Sequence, residues 1–202
     1  MLVGILNLNY GNIHNVKKIL KILRVDFKSI SKPKDFTDIS HLIIPGVGSY
    51  KQCMKKIISH KIINVLKDTV KKKPVLAICL GMQILFEESS ENGKTKGLGI
   101  LKGKVVKLNE LNSNIKCPNF GFYKLQIKKK FNFLKNKKFY FANSYYCKIK
   151  KNNSSQVLYL DDSLIKIPGF LKHKNILATQ FHPELSRIDG IKIYKRFLDN
   201  KW

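Results

Sequence analysis

Four short apolar runs, LVGILNL (2–8), VDFKSI (25–30), HLIIP (41–45) and PVLAI (74–78), alternate with stretches whose apolar residues recur at helical spacing. Ile13, Val16, Ile19, Leu20 and Leu23 form one such stripe behind a candidate cap at Asn12. Two lysine-faced helices are expected around 50–59 and 61–72, and LGMQILFEES (80–89) is expected to continue as a helix. Strand–helix alternation with short turns argues for a mostly parallel sheet, because a parallel neighbour needs a long crossover and the helix supplies it. The chain is therefore expected to be α/β, with a mostly parallel central sheet flanked by helices. In such sheets ligands bind past the carboxyl ends of the strands. GVG (46–48) and Cys79 both lie just past such ends.

The second half adds β-like segments separated by polar turns: 99–108, 120–129, 138–147, 156–160 and 175–181. They are expected to add antiparallel strands in the C-terminal half. A final helix at about 188–199 should turn Ile191, Tyr194, Phe197 and Leu198 inward. KKKFNFLKNKKF (128–139) and KIKKNNSSQ (148–156) read as exposed, charged connectors. No repeat and no linker divides the chain, so one domain over 1–202 is expected.

The 39 basic residues exceed the 13 acidic ones to leave a net charge of +26. A polyanion binder concentrates its charge on one face. Here lysine is spread along the whole chain, and only Arg24, Arg187 and Arg196 are arginine, so no specific nucleic-acid partner is expected. Cys53, Cys79, Cys117 and Cys147 lie far apart without a C-x-x-C pair, which supports neither a zinc ribbon nor a redox pair. The start has no basic leader, and no stretch approaches the ~18 apolar residues of a membrane span. A cytoplasmic protein without a membrane segment is expected. G-V-G is too short for a dinucleotide fingerprint.

Cys79 sits between a strand and a helix start, with Ala77 and Gly81 to let the two cross closely. That is the setting of a nucleophile elbow, where a following helix N-terminus would favour thiolate. A cysteine nucleophile needs a base, and the base needs an orienter. Of five histidines, His14, His41 and His60 lie on or beside helical stretches, and His173 falls in a lysine-rich turn. His182 follows the last apolar strand, and in an extended chain Glu184 would project to the same side. Cys79, His182 and Glu184 are thus a candidate triad at the carboxyl ends of parallel strands.

PGVG (45–48), ICLGMQ (78–83), GLGIL (97–101), YFANSYY (140–146) and QFHPELS (180–186) occur in that order. Together they resemble the class I, triad-type glutamine amidotransferases. More specifically, with the NYGNIHNV opening, they are similar to the glutaminase subunits of imidazole glycerol phosphate synthases. The resemblance implies that Cys79 attacks the side-chain amide of L-glutamine, with His182 as base and Glu184 as its orienter. It implies an oxyanion hole from Leu80 N–H and the 46–48 loop, at Val47 or Gly48. Gly46, Gln83, Ser144 and Tyr145 would grip the substrate. The implied partner is a (β/α)8-barrel cyclase subunit, joined as a heterodimer, that receives ammonia for histidine biosynthesis. No cofactor and no metal are implied.

The chain departs from the family pattern where the partner would dock. H-M-G-W-N is represented by Asn119, Phe120, Gly121, Phe122 and Tyr123, and F-V-H-S-Y by Phe141, Ala142, Asn143, Ser144 and Tyr145. Leu185 replaces the lysine of H-P-E-K-S. These changes spare the triad. They leave open a relative that feeds a sugar-modifying amidotransferase of surface polysaccharide synthesis, or, on charge alone, an idle polyanion binder on the same fold.

Overall fold

The computed structural model describes residues 1–8, 13–46, 48–111, 117–150, 155–161 and 166–201. The first half runs β1 (Leu2–Leu6), α1 (Ile13–Ile22), β2 (Asp26–Ile30), β3 (His41–Ile44), α2 (Tyr50–Ser59), α3 (Ile63–Lys72) and β4 (Val75–Ile78). Each of the four apolar runs has become a strand, and the helical stretches expected around 13–23, 50–59 and 61–72 are helices. The candidate cap Asn12 lies outside the described residues.

After β4 come the short α4 (Leu80–Gln83), β5 (Glu88–Ser89), β6 (Thr95–Lys96), β7 (Gly103–Lys107), β8 (Asn119–Tyr123) and β9 (Phe139–Asn143). The chain then continues through β10 (Tyr145–Ile149), β11 (Ser155–Tyr159), β12 (Pro168–His173), β13 (Ile176–Thr179) and α5 (Arg187–Leu198).

Seven strands form the central sheet in the order β11-β12-β13-β4-β3-β1-β2. The pairings from β13 to β2 are parallel, and β11 and β12 add an antiparallel edge. Both faces are covered, so strand residues are apolar on both sides. Val75 and Ala77 join the core beneath α2 and α3, whereas Leu76 and Ile78 join the core beneath α1 and α5. The two-residue alternation of side chains accounts for that division. Each fully buried Leu or Ile contributes about 1.5–3 kcal/mol, so the two cores dominate the stability. The α1 stripe buries Val16, Ile19 and Leu20 and leaves its lysines on the outer side.

A smaller sheet, β10-β7-β5-β6, and the antiparallel pair β8–β9 lie beside the main sheet. The backbone bridge between Tyr140 and His182 ties β9 to the chain just past β13. This tie brings the second half of the chain to the carboxyl ends of the parallel strands.

Several expectations need correction. The helix expected over 80–89 is a single turn. Ile84, Leu85 and Phe86 are fully buried, and their carbonyls accept N–H bonds of 2.8–3.0 Å from Leu98, Gly99, Ile100 and Leu101. The 97–101 segment has taken the acceptors that a second helical turn would need. The 128–139 segment is a connector with exposed lysines, but Phe131 and Leu134 are buried in the core as anchors. His173 is on β12 rather than in a turn, buried, with Nδ1 2.9 Å from Ser155 Oγ. In α5, Ile193 is buried with Tyr194, Phe197 and Leu198, while Ile191 is only partly covered.

Among the described residues, no helix is long and apolar enough to cross a membrane.

Candidate active site

The site begins with a close crossing of two backbones. A Cβ on Gly81 would overlap the Ile44 carbonyl at the end of β3, and one on Gly46 would overlap the Ile78 carbonyl and the Leu80 and Gly81 amides. Only glycines let the turn after β3 pass this close to the turn after β4. Between them Cys79 holds φ 50° and ψ −109°, a region costing a non-glycine residue roughly 1–3 kcal/mol. Its backbone is fixed in this pose. Cys79 N–H donates to Thr179 O at 2.7 Å, and Cys79 O accepts from Gln83 N at 3.0 Å. The thiol therefore stands at the end of the sheet, clear of the strand. With α4 only one turn long, a helix dipole contributes little there, and side-chain hydrogen bonds must supply the electrostatics.

His182 is held on both sides of its peptide. Its N–H donates to Tyr140 O at 2.8 Å, and its carbonyl accepts from Ser186 Oγ at 2.6 Å. The same hydroxyl accepts from Tyr140 N–H at 2.9 Å. Pro183 then starts a short 3-10 turn, Pro183–Leu185, so Glu184 is not on an extended chain as the spacing alone suggests. The turn still delivers the carboxylate: Glu184 Oε1 lies 2.7 Å from His182 Nδ1, with both side chains almost wholly buried.

Burial by itself would push the imidazole pKa down. Hydrogen bonds to the Cys79 thiol and the Glu184 carboxylate, and the charges of those two groups, overcome it and raise His182 to about 10. Imidazole 182 is thus held by carboxylate 184 and shares its cleft with sulfur 79.

This shift has a sign that can be measured. A pKa raised from 6.5 means the folded state holds the proton more tightly than the unfolded chain. The resulting stabilisation is complete below about pH 6.5 and is lost as pH rises toward about 10. Melting temperature is expected to fall across that window, and Glu184→Gln is expected to flatten the slope. Parallel slopes in the two proteins would contradict the coupling.

Cys79 and His182 face one cleft of about 560 Å³ with Gly46, Gly48, Leu80, Gln83, Ser144 and Tyr145. Gly48 has φ 119°, a conformation glycine adopts without strain. Val47 lies outside the described residues. Gln83 Nε2 donates to Tyr145 O at 3.1 Å and to Gln180 Oε1 at 3.2 Å, so this amide nitrogen is a strut of the cleft wall.

Two residues were given no role from sequence. Gln180 is fully buried, and its Nε2 donates to Cys79 Sγ at 3.5 Å. Its place in QFHPE was the available signal. Glu91 puts a carboxylate in the cleft, with Oε2 accepting from Tyr50 N–H at 3.0 Å. A lone glutamate after Ser89 and Ser90 carries no motif that marks it.

The mouth of the cleft is apolar. Phe120, Phe122, Leu185 and Ile188 are all exposed, and Phe120 and Leu185 line the cleft. The Phe122 and Tyr140 rings lie 5.4 Å apart, and the Arg187 guanidinium sits 5.3 Å from the Phe122 centroid. Among the described residues, no group of His, Cys, Asp and Glu side chains is arranged to hold a metal ion.

A parallel sheet with a cysteine on a strained elbow and a carboxylate-held histidine in the same cleft is the arrangement of an α/β fold built around a candidate cysteine nucleophile. The family model for glutamine amidotransferase class-I matches residues 6–200. The chain belongs to the class-I glutamine amidotransferases. It is 39% identical over 201 residues to imidazole glycerol phosphate synthase subunit HisH of Caldanaerobacter subterraneus subsp. tengcongensis, covering 97% of each chain. It is 36% identical over 204 residues to subunit HisH 1 of Campylobacter jejuni (strain RM1221), covering 98% of this chain and 99% of that protein. Among solved structures, a glutamine amidotransferase superposes with a TM-score of 0.78 at 22% identity, over 98% of this chain and 97% of the other. That likeness is one of fold.

Proposed function

We propose that the chain, as a single glutamine amidotransferase domain over 1–202, is the glutaminase subunit of imidazole glycerol phosphate synthase. The observation that carries this reading is that His182, held by Glu184, shares one cleft with Cys79, in a chain matched end to end by HisH relatives. That end-to-end match favours the histidine pathway over a sugar-modifying acceptor or a polyanion-binding role.

Cys79 sulfur attacks the carboxamide carbon of glutamine with the proton of the nucleophile–base pair already held on His182. The oxyanion meets Leu80 N–H, a first-turn amide with no helical partner, and an amide of the 46–48 loop at Val47 or Gly48. His182 returns the proton to departing ammonia, leaving a γ-glutamyl thioester, and then takes a proton from water for its hydrolysis. Glu184 holds the imidazole and stabilises its charged form. The amino-acid end of the substrate lies toward Ser144 and Tyr145. Glu91 is the carboxylate positioned to meet its ammonium, and Gly46 and Gln83 complete the wall. No metal or organic cofactor enters this chemistry.

Ammonia released into water is wasted, so a partner must cover the cleft mouth. A cytoplasmic (β/α)8-barrel cyclase is the proposed partner, and the apolar rim of Phe120, Phe122, Leu185 and Ile188 is its docking face. An apolar rim with aromatic anchors binds through burial more than through ion pairs. The test is glutamate release from the purified chain, alone and with a cyclase subunit and its nucleotide ligand. Glutamate release is expected to rise at least tenfold with the complete complex. Equal rates with and without the cyclase would remove the assigned partner.

A further inference from the structure

Glu184 holds the catalytic imidazole through one oxygen only. Its Oε1 meets His182 Nδ1 at 2.7 Å, whereas Oε2 is buried with no protein partner. A buried carboxylate oxygen left unpaired is costly, because its charge has lost water and gained nothing in exchange. The Tyr194 hydroxyl is the complementary case, a donor that is also buried with no protein partner.

The fold brings these two groups toward each other. Helix α5 begins directly after the turn that carries Glu184. A Cβ on Gly190 would overlap the Pro183 carbonyl, so the helix backbone lies directly on that turn. Tyr194 is one helical turn beyond Gly190 and on the same face. Helical side chains lean back toward the N-terminal turn, which here is the turn against Pro183. Burial pushes the Tyr194 phenol well up, and the Glu184 charge adds to the rise, so the hydroxyl keeps the proton it would donate.

We propose that the Tyr194 hydroxyl donates to Glu184 Oε2 through one buried water, and is a positioning residue for the His182–Glu184 pair. Held by both oxygens, the carboxylate cannot rotate away from Nδ1 when the imidazole gains and loses its proton. The reaction being positioned rests on the glutaminase reading; the hydrogen bond itself does not.

Tyr194→Phe removes one oxygen and keeps the ring in the core. Glutaminase kcat is expected to fall about tenfold with KM for glutamine unchanged, the loss of one hydrogen bond to a charged group. Melting temperature is expected to drop, and the low-field NMR resonance of the His182 Nδ1 proton is expected to shift. If the hydroxyl were spare, its removal would raise the melting temperature and leave kcat and the resonance in place, which overturns the proposal. A lower melting temperature with kcat and resonance both unmoved also overturns it, since that outcome assigns Tyr194 to packing. A parent protein that releases no glutamate would count against the glutaminase reading, and the resonance and melting arms would still decide the role of Tyr194.

Discussion

Cys79→Ser is expected to abolish glutamate release while leaving the fold intact. Serine keeps the size and backbone demands of the elbow but offers a far weaker nucleophile to an imidazole tuned for sulfur. Loss of a triad nucleophile typically costs about 10^6 in kcat, because the remaining parts act only as a unit. Gln180 and the Cys79 backbone bonds to Thr179 and Gln83 do not depend on the sulfur's reactivity, so glutamine should still enter the cleft. A coupled glutamate assay and circular dichroism read the two halves of this expectation. Retention of more than a few per cent of the parent rate would mean that another group performs the attack.

Gly81→Ala should be among the most damaging small substitutions outside the triad. The added methyl has no flexible side chain to displace, because it meets the Ile44 carbonyl of the neighbouring strand turn. Overpacking against side chains typically costs 1–3 kcal/mol, and backbone yields less readily, so about 3 kcal/mol or more is expected. For a domain of this size that is roughly 10 °C in melting temperature. The same displacement moves Leu80 N–H and the 46–48 loop apart, so activity should fall further than stability alone explains. A variant that melts with the parent would show that the two turns cross less tightly than described.

Much of this was legible because chemistry and packing constrain residue type. Val75–Ile78 must be apolar on both faces in a doubly covered parallel strand, and its pattern announced that. Gly46, Gly81 and Cys79 are where they are because close crossing and a strained elbow accept few alternatives. Other features were hidden because local pattern agrees with the wrong structure. Ile84, Leu85 and Phe86 continue a helical stripe, yet residues 98–101 capture their carbonyls from a distance in sequence. Pro168 and Gly169 read as breakers, but they open an antiparallel strand near the sheet edge, where proline is tolerated. Phe131 and Leu134 are buried inside a lysine run whose charges point outward.

The site divides in the same way. Cys79, His182 and Glu184 stand out as nucleophile, base and orienter, although the carboxylate arrives through a 3-10 turn and not an extended chain. Gln180 and Glu91 act through partners 101 and 41 residues away, Cys79 and Tyr50; only Gln180 is marked by its neighbourhood, through its place in QFHPE. Of the departures from the family pattern, Phe120, Asn143 and Leu185 line the cleft, and Phe122 packs against Tyr140, which lines it too. They leave the His182–Glu184 bond in place, and Phe120, Phe122 and Leu185 give the mouth an apolar character.

Labelling with a diazoketone analogue of glutamine, followed by peptide mass spectrometry, asks whether sulfur 79 and imidazole 182 really work as one centre on this substrate. One adduct per chain is predicted, on Cys79, blocked by excess glutamine and lost when His182 is replaced by alanine. Labelling at Cys117 instead, or equal labelling of Cys79 with and without the imidazole, would contradict the account.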